Sequence, residues 1–186
     1  SSSFTVSMWL RAPDAGSASG TVIGKQDNIS GWRVDVDGAD NSKIRFHTND
    51  GTAETFLKSN SRLQGQQWHH VVVELDAGKR RIYFDGVLDN EDSSGGAPRT
   101  NKRQLLFGAK DRTGINRDGY SGRLDEVRFY NQALGATVVE ALYSAQKPGN
   151  FGSATIKVNF AGDLLDAGET GKLELFREAS TGSAPF

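Results

Sequence analysis

Apolar and polar residues alternate with period two along most of the chain. Residues 4–10, Phe4-Thr5-Val6-Ser7-Met8-Trp9-Leu10, form such a run and stop at Pro13. Residues 31–36 alternate again and close at Asp37-Gly38, and residues 43–48 close at Asn49-Asp50-Gly51. Residues 68–75 make the strongest apolar strand, whereas 21–24 and 55–57 are short candidates. Residues 80–84 meet Asp85-Gly86, after which Val87-Leu88 resumes. Asp-Gly between two apolar runs predicts a hairpin, because a type I′ turn needs positive φ at both central residues. Residues 104–108 and 122–130 supply two further strands.

Strands recurring roughly every ten to fifteen residues, with turn residues between them, predict an all-β antiparallel sandwich or barrel. One helix is expected, over residues 135–144. There Leu134, Val138 and Leu142 are four apart, with Val139 and Tyr143 beside them. Lys147-Pro148-Gly149-Asn150 reads as a linker. The chain is therefore expected to divide into a β domain over 1–146 and a β-rich tail over 147–186. The tail either packs on the first domain or begins a truncated second one. Trp9, Trp32 and Trp68 are expected in the core, where Trp68→Ala would cost about 3–5 kcal/mol.

Composition narrows the function classes. The 186 residues hold 22 Lys+Arg against 23 Asp+Glu, without the basic surplus that nucleic-acid phosphates require. A mean hydropathy of -0.52 with no long apolar run excludes a membrane-spanning helix. The absence of cysteine excludes disulfides, thiolate metal sites and cysteine nucleophiles. The chain opens directly on a strand pattern without a signal peptide, so it reads as a piece of a longer protein.

Four segments resemble the laminin G-like, concanavalin A-like jelly-roll family in its pentraxin-like branch. They are the opening run 4–10; Ile23-Gly24-Lys25 followed by Gly31-Trp32-Arg33-Val34; Trp68-His69-His70-Val71-Val72-Val73 leading to Ile82-Tyr83-Phe84-Asp85-Gly86; and the stretch 120–131, followed by Ala133-Leu134. The resemblance implies an antiparallel two-sheet jelly roll with one short C-terminal capping helix. The tail resembles the opening of a Calx-β-like repeat at Asp166-Ala167-Gly168-Glu169-Thr170-Gly171. The tail resemblance implies a multi-modular secreted or cell-surface parent.

Alternation marks Val34, Val36, Ile44, Phe46, Val71, Val73, Leu75, Ile82 and Phe84 as core-facing. Arg33, Asp35, Arg45, His47, Asn49, His70, Glu74, Arg81 and Tyr83 lie on the other side of the same strands. If those strands are neighbours, they make one wet face of hydrogen-bonding groups suited to a hydroxyl-rich ligand. Arg45, His47, Asn49 and Tyr83 are the expected ligand contacts there, and Arg112 and Tyr120 those of the glycine-rich loop 111–120. Adjacent His69 and His70 point to opposite faces and cannot share a metal, and His70 is expected to be structural. The family resemblance implies a structural calcium at Asp125; the alternative is that Asp125 and Glu126 pair with Arg123 and Arg128. Asp35-Val36-Asp37-Gly38-Ala39-Asp40-Asn41 looks calcium-like at first sight but is not an EF-hand loop, because glycine falls at the fourth position, and it reads as a hairpin turn.

Catalytic signatures are missing: there is no Gly-x-Ser-x-Gly, phosphate loop or His-Glu-x-x-His. The Glu-x-Asp-x-x-Glu run of related glucanases is absent as well, and Arg45, His47 and Tyr83 only loosely echo the alginate-lyase relatives. The expected function is a non-catalytic carbohydrate-binding module of a larger extracellular bacterial protein. The rival expectations are a protein-binding adhesive spacer and a polysaccharide lyase or glycoside hydrolase.

Overall fold

A computed structural model describes residues 3–13, 18–112, 115–117 and 119–146. The alternating runs form twelve strands: β1 (Phe4–Arg11), β2 (Gly20–Gln26), β3 (Gly31–Asp37), β4 (Lys43–Asn49), β5 (Glu54–Arg62), β6 (Trp68–Asp76), β7 (Lys79–Phe84), β8 (Val87–Asp92), β9 (Leu106–Phe107), β10 (Lys110–Arg112), β11 (Ile115–Arg117) and β12 (Arg123–Tyr130). One α-helix follows, α1 (Gly135–Gln146). Ten of the strands build two antiparallel five-stranded sheets, β12-β1-β6-β7-β8 and β5-β4-β3-β2-β9, and β10-β11 is a separate hairpin. The jelly-roll sandwich with one helix is thus as expected. Three local readings change. The short candidate at 55–57 is nine-residue β5, and β10 and β11 fall within the expected loop 111–120 and its flank. The helix runs on to Gln146. The tail 147–186 lies outside the described residues.

Inner faces of the two sheets meet in one core. Phe4, Val6, Met8 and Leu10 of β1 oppose Trp32, Val34, Ile44 and Phe46 of the second sheet. The Phe4 ring stands edge-on to Phe46 at 6.0 Å. Each fully buried apolar side chain contributes about 1.5–3 kcal/mol, so this layer supplies the main cohesion. Arg80 sits in the same inner row, 1% exposed. Its guanidinium donates to Asp92 at 2.9 and 2.6 Å, and across the sandwich to Thr55 at 3.0 Å and Thr48 at 3.2 Å. At the same edge, Asp89 accepts the backbone N–H groups of Asn60 and Ser61, tying β8 to β5.

The β7–β8 turn has Asp85 at φ 50° and Gly86 at φ 84°, the two left-handed positions that Asp-Gly predicted. The Asp85 carboxylate reaches back to β6, accepting the His70 N–H at 2.9 Å and lying 2.9 Å from His69 Nδ1. A methyl group at Gly86 would come within 2.9 Å of Tyr143, so glycine also lets α1 lie on the turn.

Helix α1 covers the outer face of the first sheet. Val139 packs on Val72 and Tyr83, with Leu134 beside them. Glu74, fully buried, accepts the N–H groups of Leu134 and Gly135 at 2.8 and 2.9 Å and pairs with Arg81. A carboxylate there satisfies the orphan donors of the helix start and favours its positive end. Trp9 points outward into this layer and stacks on Tyr143 at 5.9 Å and near His70 at 5.2 Å. Trp9 and Trp32 are buried as expected. Trp68 is only half-buried, because it opens β6 at the sheet rim opposite Arg11. Among the described residues no helix is long and apolar enough to cross a membrane.

His70 is structural, as expected: its Nε2 lies 2.8 Å from Ser7 Oγ beneath the helix. Burial pushes its pKa down to about 4, against the attraction of Asp85 and with some help from Arg128. Its folded form is therefore neutral, while the unfolded chain takes up a proton below about pH 6.5. Stability from this group is complete above that pH and declines as pH falls towards 4, by about 3 kcal/mol in all. Urea unfolding between pH 7 and 4.5 is expected to show this loss, and His70→Gln to flatten it; an unchanged slope would remove His70 as its source. The revised burial makes a second expectation. Trp9→Ala costs about 3–5 kcal/mol, and half-exposed Trp68→Ala clearly less, by the same unfolding measurement.

Candidate functional site

With α1 over the first sheet, the outer face of the second sheet is the broad face left uncovered among the described residues. Alternation places Arg33 and Asp35 of β3 there, opposite His47 and Arg45 of β4. Arg33 is the hub. It donates from Nε to Asp35 at 2.7 Å, from Nη1 to Gln26 at 2.6 Å, and to both oxygens of Glu54 at 2.8 and 2.9 Å. His47 is wedged between the two carboxylates, with Nε2 3.2 Å from Asp35 and Nδ1 3.1 Å from Glu54. Thr21 donates to the free oxygen of Asp35 at 2.8 Å. Gly24 stands opposite Arg33 on β2, and a Cβ there would come within 2.6 Å of the Arg33 Cβ. Glycine at that position lets the arginine side chain lie along the sheet.

This network sets the charge states. Burial alone would raise the Asp35 pKa, but the hydrogen bond and charge of His47, with those of Arg33, outweigh it and hold the carboxyl well below the usual range. Glu54 is held down by its His47 hydrogen bond first, against partial burial, and then by Arg33. Both acids are therefore carboxylates at neutral pH.

Beyond His47 the face is more open. Phe56 of β5 lies across from His47, their ring centroids 5.1 Å apart, and remains 47% exposed. The Arg45 guanidinium sits 5.3 Å from the centre of the Phe56 ring. Arg45 pairs with Asp37, while Lys58 reaches Asp40 at 2.8 Å and Asp37 at 3.4 Å. The turn that superficially resembled a calcium loop is thus a hairpin whose acids are neutralised by β4 and β5. Gln26, at the end of β2, and Glu54 and Phe56 of β5 are not among the expected site residues: only 55–57 reads as a strand, and nothing local shows that β5 begins at Glu54 or pairs with β4.

The expected ligand contacts do not converge on one face. Arg45, His47 and Asn49 share β4. Asn49 is buried, and its Oδ1 accepts the Gly51 N–H at 3.0 Å, so its side chain closes the turn. Tyr83 is in the other sheet and buried under α1. His70 and Glu74 of the expected wet face are buried in that sheet too, and Arg81 is half-buried beside Glu74. The Tyr120 hydroxyl donates to the Arg11 carbonyl at 2.9 Å, and burial pushes its pKa well above the usual range. Arg112 belongs to β10, and its side chain lies outside the described residues.

Residues 1–140 match the family model Laminin_G_3, described as the concanavalin A-like lectin/glucanases superfamily. The chain belongs to that superfamily. No curated protein matches it significantly. Among solved structures, the Ruminococcus gnavus IT-sialidase CBM40 is similar with a TM-score of 0.62 at 12% identity, over 76% of this chain and 82% of that one. A heptameric SAP-like pentraxin from Limulus polyphemus has a TM-score of 0.60 at 14% identity, over 78% and 71%. A candidate carbohydrate-binding protein from Bacteroides ovatus ATCC 8483 has a TM-score of 0.58 at 18% identity over 75% of this chain. The chain spans only 40% of that protein's length. At these identities the likeness establishes the fold.

The superfamily resemblance implied a calcium ion at Asp125, and among the described residues the donors around it do not fit one. Asp125 Oδ1 accepts the Glu126 N–H at 2.8 Å, and Glu126 pairs with Arg128 at 2.6 Å. Calcium takes about six to eight oxygens, usually several of them acidic. Among the described residues no three His, Cys, Asp or Glu side chains are grouped to hold a metal. Millimolar calcium is therefore expected to leave the melting temperature unchanged. A rise that Asp125→Asn abolishes would instead reveal a calcium site through mass action.

Proposed function

We propose that this chain is a non-catalytic carbohydrate-binding module of a larger extracellular bacterial protein, binding through the outer face of the second sheet. The observation that carries the reading is the Arg33–Asp35–His47–Glu54 network beside an exposed Phe56. Fixed donors and acceptors next to an aromatic ring suit sugar hydroxyls and the apolar face of a pyranose. The neighbouring folds include proteins named for carbohydrate binding, among them a CBM40 bound to α2,3-sialyllactose.

The same chemistry speaks against hydrolysis at this face. A glycosidase needs one carboxyl kept protonated as general acid. Asp35 and Glu54 are both held ionised by Arg33 and His47, so neither is set up to give a proton. The echo of a lyase is also broken, since Tyr83 lies across the sandwich from Arg45 and His47.

A glycan array probed with the intact protein, with and without chelator, tests this reading. Binding is expected, without release of shortened or unsaturated products. His47→Ala is expected to weaken it about three- to tenfold, because Asp35 and Glu54 lose the ring that holds them in place, an effect of the size of one modest hydrogen bond. Tyr120→Phe leaves affinity unchanged, because that hydroxyl is taken up by Arg11. An array with no binding would favour an adhesive, protein-binding spacer, and product formation would restore an enzyme.

A further inference from the structure

The outer face of the second sheet is chemically uneven. At its Arg33 end, cations and carboxylates are matched and enclosed. At the far end, register pairs Arg45 with Lys58 and Lys43 with Arg62, so four cations line one patch of β4 and β5. The carboxylates that answer them come from the β3–β4 turn, Asp37 and Asp40. Arg45, Lys58 and Lys43 share those two, and Arg62 is exposed beyond them. This local surplus stands out in a chain whose net charge is -1. Arg45 Nε is also buried without a hydrogen-bond partner, an uncommon state for a group that strongly prefers one. Directly beside the cations, Phe56 is one of the few exposed large apolar side chains among the described residues.

We propose that this patch is a subsite for an acidic sugar unit, carboxylated or sulfated. The inference rests on the carbohydrate-binding reading above and names the class of ligand. The sugar's apolar C–H face would lie against Phe56, while its anionic group meets the cations around Arg45 and Lys58. A neutral sugar would use the ring but leave the positive surplus unanswered, whereas an anion is drawn to it by charge-assisted hydrogen bonds. Arg45 spans both halves of the recognition, since its guanidinium packs near the ring and projects among the cations.

Affinity gels cast with polygalacturonate, its fully methyl-esterified form, heparin or poly-glutamate test this on the whole protein. Retardation by polygalacturonate, by heparin or by both is expected, and the two arms separate carboxylate from sulfate recognition. The neutral ester and the non-saccharide polyanion should retard it clearly less, and added salt should weaken binding. Phe56→Ala, Arg45→Gln and Lys58→Gln should each reduce affinity about tenfold, each variant remaining folded at the assay temperature. Retardation by the neutral ester as strong as by the acid would overturn the acidic subsite. So would unchanged binding in all three variants, equal retardation by poly-glutamate, or none by either acidic polysaccharide. In each of these cases a positive glycan array would leave the broader reading standing; an array with no binding would remove both.

Discussion

The central strands β1 and β6 are buried on both faces, and the rest of the molecule is organised around that constraint. Their inner side chains, such as Val6 and Val73, are met by the second sheet. Their outer ones, Ser7, Trp9, His70 and Glu74, are too polar to be left in a dry layer without partners. Helix α1 resolves this by bringing both cover and chemistry. Val139 and Tyr143 supply apolar surface, and the helix start gives Glu74 two N–H donors. Because one outer face is taken up in this way, the proposed ligand face is the other.

Buried charge is handled alike in both sheets. Arg80 between the sheets and Arg33 on the second are each enclosed by several acceptors rather than one. Single buried ion pairs rarely repay their desolvation, but an arginine whose donors are all met loses little and orders its surroundings. Arg80 uses this to hold the sandwich edge shut. Arg33 uses it to hold Asp35, His47 and Glu54 in one arrangement, which would lower the ordering cost of the proposed binding. The same enclosure keeps the two carboxylates ionised, so neither holds a proton at neutral pH.

Most of the fold was legible because its signals are local. Alternation marked which side chains point inward, and Asp85-Gly86 marked a turn that only left-handed residues make easily. The Trp68–Phe84 region was recognised from its order of residues. Elements without such local signals were missed. Glu54 and Arg62 at the ends of β5 are polar, and their strand character comes from pairing with β4. Trp68 looked like core because it is large and apolar, yet it opens its strand at the rim.

The candidate site shows the limit most clearly. Period two tells which face of its own strand a side chain occupies, and in that sense the sequence alone determined the outward positions of Arg33, His47 and Tyr83. It cannot tell which strands become neighbours, because pairing joins residues far apart in the chain and depends on how the whole core closes. Tyr83 and His47 point outward from their strands alike, but β7 and β4 lie in different sheets, so the two side chains face opposite sides of the sandwich. Tertiary structure also supplied the helix over Tyr83 and set Phe56 beside Arg45. Alternation therefore decided the faces, and long-range packing decided which of them stayed open and what stands together on it.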